Sequence, residues 1–247
     1  MPGARRLRLS IAAVVLILAV LVASGMGLYW LMNARSFQLI GDIVSHVSTP
    51  EPVVALTFDD GPVAGRVDTI LGTLRQANVR ATFYVIGEPL AASPESGRKL
   101  VTAGHELGNH SYTHDRMVFR SYGFYADELE QTEALIRGTG YSGPTTFRPP
   151  FGKKLLGLPF YLWQTGRTSV TWNVEPESDP AVAANPDRIV AHVLEKTRPG
   201  SIILLHPWYD SGEPTRQAIL PIVAGLRERG FRFVTVSELL ALRTGSQ

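Results

Sequence analysis

Two alternating periodicities constrain this chain most. From residue 53 onward, short apolar runs rich in β-branched residues alternate with segments of helical period: "VVALTF", "RVDTILGTLRQAN", "ATFYVIG", "PESGRKLVTAG", "HELGNHS", "YADELEQTEALIRGTG", "TTFRPP", "SVTWNV", "PDRIVAHVLEKTRPG", "SIILLH", "TRQAILPIVAGLRERG" and "FRFVTVSELL". Some seven strands, each followed by a helix or loop, predict an α/β fold around a parallel sheet, either a barrel or a doubly wound sheet. The unbroken apolar run in "SIILL" suits a strand covered by helices on its faces. In both architectures the reactive groups gather where strands end. Five such ends carry polar residues: Asp59 with Asp60, His110, Arg148, the stretch from Trp172 to Glu175, and His206.

The N-terminus reads separately. No charged residue occurs between Arg8 and Arg35, and residues 9–32 are mostly apolar, long enough to span a bilayer. Arg5, Arg6 and Arg8 precede the run, which places residues 1–8 in the cytoplasm and the remainder outside it. Tyr29 and Trp30 suit the interfacial belt at its outer end. The competing reading is a cleavable signal peptide, because "LVASG" offers small residues of the kind found at cleavage sites. The apolar run continues to Met32, which favours an uncleaved anchor and a single-pass membrane protein. Residues 33–51 then read as a linker, and 52–247 as the folded domain. The absence of Cys suits an oxidising compartment.

The net charge of +2 does not point to nucleic acid. Four of the 24 basic residues (Arg5, Arg6, Arg8, Arg35) lie in the first 35 positions, leaving 20 against 22 acidic residues in the rest of the chain. No basic stripe suited to a phosphate backbone is left.

Adjacent carboxylates at Asp59 and Asp60 repel each other unless positive charge lies beside them. "NHSYTH" puts His110 and His114 four residues apart, a spacing that brings two imidazoles onto one face of a helical turn, as in zinc sites. Two surface histidines would show the same spacing, just as "DDGP" would suit a surface turn. No Glu follows the first His, so a general base has to come from elsewhere, and the aspartate pair is the candidate supply. Two imidazoles and one carboxylate would hold a divalent metal with coordination positions left open. Arg148 in "TTFRPPFG" could orient Asp59 and balance its charge, or could be a surface arginine in a Pro-rich loop.

Taken in order, "TFDDGP", "HSYTH", "RPPFG" and "ILLH" resemble the motifs of the polysaccharide deacetylases, the NodB-like domain of carbohydrate esterase family four, over roughly residues 52–243. The resemblance implies a distorted (β/α) barrel of seven strands and a metal-dependent hydrolase that removes acetyl groups, N-acetyl foremost, from an envelope or extracellular polysaccharide. It implies Asp59 as base, Asp60, His110 and His114 as ligands of one divalent metal, and Arg148 as the partner of the base. It further implies His206 as acid, the backbone of Phe151 at the oxyanion, and Leu204 as a wall for the acetyl methyl, with Trp172 as an aromatic neighbour. Zinc is the default metal, and Co2+, Ni2+ or Mn2+ suit similar ligands.

One motif departs from the family pattern. "TWNVEPESDP" stands where Asp-x-x-Asp-Trp is usual, and the expected acid partner of His206 is Glu175 or Asp179. Trp208 and Tyr209 are further candidates for apolar surface near the acetyl group. The altered motif is the only support for an alternative reading, a membrane-anchored carbohydrate-binding module that has lost turnover. A phosphate-handling barrel would carry a Gly-rich phosphate loop, and none is present.

Overall fold

The computed structural model describes residues 2–243, so residues 244–247 of the expected domain lie outside the described residues. The helices are α1 (Pro2–Asn33), α2 (Ala64–Ala77), α3 (Gly87–Ala92), α4 (Pro94–Thr102), α5 (Tyr122–Gly138), α6 (Gly157–Gln164), α7 (Pro180–Ala183), α8 (Pro186–Lys196), α9 (Glu213–Glu228) and α10 (Val236–Ala241). The strands are β1 (Ile43–Val44), β2 (Val53–Gly61), β3 (Thr82–Val85), β4 (Glu106–Asn109), β5 (Ser169–Val170), β6 (Ile202–Leu205) and β7 (Arg232–Val234).

All strand pairings are parallel, in the order β4-β3-β2-β6, with β7 on the first residues of β2 and β1 paired to β5. Single bridges complete a ring: Asn109 to Phe147, Phe147 to Ser169, and Val174 to Ile203. The result is a distorted (β/α) barrel, as expected. The stretch "TTFRPP" contributes only Phe147 to the ladder, because Pro149 and Pro150 lack the N–H that pairing requires.

Side-chain alternation decides what faces the barrel interior. Val54, Leu56 and Phe58 of β2 pack outward in the main core beside Val67 and Leu74 of α2 and Ile219 and Ile222 of α9. Val53 and Ala55 turn inward to join Tyr84, Val170, Trp172, Ile202 and Leu204. The same period carries Thr57 and Asp59 inward on β2, and it carries His206 inward two residues beyond Leu204.

The expected linker is partly structural. Gln38, Val44 and Val47 are buried, Thr171 N donates to Val44 O (2.8 Å) and Val47 N donates to Gly200 O (3.0 Å). A two-residue strand is too short to show a period in the sequence, which is why the domain boundary at residue 52 falls late. In α1, residues Ala13–Asn33 have mean hydropathy 2.3, and apolar side chains such as Leu16, Leu21 and Met26 are exposed. That helix is long and apolar enough to cross a membrane.

Gly200 closes β1's neighbourhood against the barrel. Its φ is +80°, and an added Cβ would lie 1.7 Å from Val47 O. Gly200→Ala is therefore expected to lower the urea midpoint of the full-length chain. The left-handed backbone alone costs about 1–2 kcal/mol for a residue with a Cβ, and an unchanged midpoint would contradict this packing.

Candidate active site

Each strand that ends at the cleft delivers a charged or polar group. Asp59 and Asp60 lie near the end of β2, and the left-handed backbone of Asp60 (φ +70°) breaks the strand alternation, so both neighbouring carboxylates face the cleft. Asp59 is buried and meets Arg148, whose Nη1 donates to Asp59 Oδ1 at 2.6 Å and to Thr57 Oγ1 at 2.8 Å. Arg148 has no exposed surface, so every donor needs a partner. Nε donates to Val170 O (3.3 Å) and Nη2 to Thr171 O (3.0 Å), while the guanidinium lies 3.9 Å from the Tyr84 ring centre.

Asp60 faces two imidazoles. Its Oδ1 lies 3.1 Å from His114 Nε2 and 3.4 Å from His110 Nε2, and Asp59 Oδ2 lies 3.6 Å from the same His110 atom. His110 Nδ1 is 2.7 Å from Arg148 O, and a carbonyl only accepts, so Nδ1 is the donor. In the neutral ring Nε2 then presents a lone pair to the carboxylates. Asp60 Oδ1 is buried without a hydrogen-bond partner, and one ligand atom from each of Asp60, His110 and His114 lies within 4.8 Å of the others. Convergent lone pairs around an orphaned carboxylate oxygen fit a divalent cation. Burial works against the charged form of Asp60, but the His110 and His114 imidazoles in their protonated, donating form more than offset it and hold its carboxyl well below the usual range.

The histidine pair converges through a loop and not on the helical turn that its spacing suggested. β4 ends at Asn109, and Ser111 and His114 both have positive φ. Asn109 Oδ1 accepts from Ser111 N, Ser111 Oγ accepts from His114 N, and the buried Glu128 carboxylate of α5 accepts from Tyr112 N, Thr113 N and Thr113 Oγ1. These side-chain acceptors replace the helical backbone ladder.

His206 follows β6. Its Nδ1 lies 2.7 Å from Glu177 Oε2, and its backbone N–H donates to the same carboxylate, which also accepts from Thr215 Oγ1. Burial pulls the imidazole down, but the Glu177 hydrogen bond and the charges of Glu177, Asp59 and Asp60 outweigh it and raise the pKa to about 9. Asp59, Asp60, His110, His114, Phe151, Trp172, Leu204 and His206 line one cleft of about 350 Å³ with Arg35, Glu175 and Ser178.

A family model for polysaccharide deacetylase matches residues 46–166. A peptidoglycan-N-acetylglucosamine deacetylase of Bacillus cereus is 32% identical over 213 residues, covering 83% of this chain and 96% of the relative. The chain belongs to the polysaccharide deacetylase family. A chitooligosaccharide deacetylase of Bradyrhizobium is 34% identical over 200 residues, 75% of this chain and 90% of the relative. Among solved structures, a peptidoglycan N-acetylglucosamine deacetylase with a benzamide ligand aligns at TM-score 0.75 and 30% identity, covering 80% of this chain and 92% of that one. The chain is therefore a hydrolase of this family, with an α/β fold of parallel strands.

For this polysaccharide deacetylase, the partner of His206 differs from the expectation. Glu175 Oε2 instead accepts from Trp172 Nε1 (2.9 Å) and Ser178 Oγ (2.6 Å) and pairs with Arg35 (2.9 Å). Asp179 caps α7 by accepting from Ala181 N. Pro176–Ser178 form a single 3-10 turn, and it is Glu177 in that turn that reaches His206. Trp172 lines the cleft. Trp208 is buried behind Gly61 and beside Phe83, and Tyr209 is half-exposed and does not line the cleft. Phe151 sits at φ +59° with its ring 4.7 Å from that of His114. Three contributors were not singled out from the sequence: Glu177, Glu128 and Arg35. Arg35 comes from outside the matched segment and lies 4.8 Å over Trp172.

Removing Arg148 would leave Asp59 buried without its cation, a change that typically costs about 3–5 kcal/mol. Arg148→Met is expected to unfold at clearly lower urea, and Asp59→Asn in the same chain should restore part of the loss. Failure of the second substitution to restore stability would contradict the pairing.

Proposed function

We propose that this chain removes N-acetyl groups from an acetylated polysaccharide of the cell envelope, using one divalent metal, by default Zn2+. The division of the two neighbouring carboxylates carries this reading: Asp59 is paired with Arg148, and Asp60 converges with the Nε2 atoms of His110 and His114. The relatives named for peptidoglycan and chitooligosaccharide support an N-acetylhexosamine glycan as the substrate class. The long apolar helix α1 supports a membrane anchor with the catalytic domain outside the cytoplasm.

Asp60, His110 and His114 would hold the metal, whose charge acidifies water and polarises the acetyl carbonyl. Asp59 takes the proton of the attacking water at Oδ2, the oxygen that Arg148 does not occupy. Arg148 fixes the orientation of that carboxylate through five contacts, to Thr57, Asp59, Val170, Thr171 and Tyr84. Leu204 and Trp172 wall the side of the cleft where the acetyl methyl would sit. The backbone N–H of Phe151 is assigned to the developing oxyanion. Glu177 holds Nδ1 of His206, which leaves Nε2 to donate its proton to the departing nitrogen as the C–N bond breaks. The products are acetate and a free amine on the sugar.

Three measurements test these roles. Asp59→Asn is expected to abolish acetate release from acetylated glycans while the variant still binds metal in a calorimetric titration. His110→Ala should lose metal and turnover together, and chelation should silence the parent. Substantial turnover by Asp59→Asn would remove it as base.

The pH profile follows from His206. The proton it donates is present below its folded pKa and lost as pH rises through it, so it sets the basic limb of kcat/KM. A bound metal cation acts against the raised value, so the limb is expected between the ordinary 6.5 and about 9. Glu177→Gln removes the main raising partner and should move the limb to lower pH. An unmoved limb would mean that another group supplies the proton.

A further inference from the structure

We infer that a contiguous apolar face beside the end of α1 rests on the bilayer, so that the catalytic domain lies on the membrane surface with its cleft beside it. This inference rests on the reading of α1 as a retained membrane span. Five large apolar side chains form the face outside α1: Phe37 (44% exposed), Leu39 (57%), Leu156 (47%), Phe160 (39%) and Trp163 (59%). The segments that carry them, residues 36–41 and 156–164, contain no charged residue.

Contacts tie Phe37 to the helix and bring the segment 36–41 against α6. The Trp30 ring of α1 lies 5.8 Å from that of Phe37, and Lys154 N donates to Met32 O at 3.2 Å. Phe160 and Trp163, three apart on α6 and therefore on one side of it, have ring centres 6.0 Å apart. Trp163 packs over Gly41, where an added Cβ would come within 3.1 Å of its own Cβ. Exposed large apolar side chains grouped in this way mark an interaction site.

The chain itself names the occupant. Phe37 lies four residues beyond Asn33, the last residue of α1, within about 14 Å of extended chain. A bilayer that takes up α1 therefore lies within reach of Phe37, and the Lys154–Met32 hydrogen bond holds the segment leading to α6 beside the helix end. Trp and Phe with Leu neighbours are the side chains that settle at the boundary of headgroups and acyl chains, about 5–10 Å deep. The same geometry fixes the cleft. Arg35, two residues past α1, is part of its wall and pairs with Glu175, so no more than about 7 Å of chain separates the helix end from the pocket. An acetylated glycan would be met close to the membrane and not at the end of a long tether.

The absence of Cys makes the test direct. Single substitutions Phe160→Cys, Trp163→Cys, Leu39→Cys, Val20→Cys and Glu95→Cys are placed in the full chain. Each variant is labelled with an environment-sensitive fluorophore and reconstituted into phosphatidylcholine–phosphatidylglycerol vesicles. Lipid spin-labelled near the headgroup and aqueous iodide serve as opposing quenchers. The expected result is loss of emission with spin-labelled lipid at positions 39, 160 and 163, and with iodide at position 95. Position 20 should resist iodide in all cases. If position 20 is shielded while 39, 160 and 163 quench with iodide as position 95 does, the docked face is overturned and the span stands. If position 20 itself quenches with iodide, the span reading fails and the docking falls with it.

Discussion

A single buried ion pair organises the catalytic half of this molecule. Arg148 and Asp59 lie inside the barrel, where an isolated charge is far more costly than in water. Each depends on the other, and the guanidinium then uses its remaining donors on Thr57, Val170 and Thr171. One side chain thus ties β2 to the β5 region across the interior, and its carbonyl orients His110. Such a pair is weak evidence of stability in its own right. Its contribution is to fix which carboxylate oxygen faces the cleft, leaving Asp60 to the imidazoles.

The cleft is assembled from strand ends by the pleat. The same alternation that sends Leu56 and Phe58 to the helices sends Thr57 and Asp59 to the interior, and Leu204 precedes His206 on the inner face of β6. Asp60 breaks that alternation with its left-handed backbone. Of the six non-glycine residues with positive φ among the described residues, Asp60, Ser111, His114 and Phe151 belong to the cleft or its supporting loop. Unfavourable backbone conformations concentrated at one place indicate a site whose geometry is held by its surroundings. Glu128 is part of that hold, since one carboxylate satisfies the N–H groups of Tyr112 and Thr113.

Strong periodicity made the barrel legible in the sequence, and the order of "TFDDGP", "HSYTH", "RPPFG" and "ILLH" made Asp59, Asp60, His110, His114, Arg148 and His206 legible as one set. What the sequence hid was local. β1 is two residues long and carries no pattern, so residues 33–51 read as linker although Val44 and Val47 are core. The four-residue spacing of the histidines suggested a helical face, whereas side-chain acceptors make the turn. In "EPESD", three acids within five positions compete for one imidazole. The 3-10 turn at Pro176–Ser178 selects Glu177, a choice set by backbone geometry that neither spacing nor residue type reveals.

The attachment of β1 to β5 bears on how the chain can be processed. Proteolysis in "LVASG", at residues 21–25, would fall well before Arg35, Phe37 and Ile43, so a released product would keep the whole barrel and the full wall of the cleft. Maturation of that kind would change where the enzyme can diffuse without changing what its pocket is made of. Every side chain that lines the cleft lies beyond Asn33, where the apolar helix ends, so the pocket draws nothing from that helix.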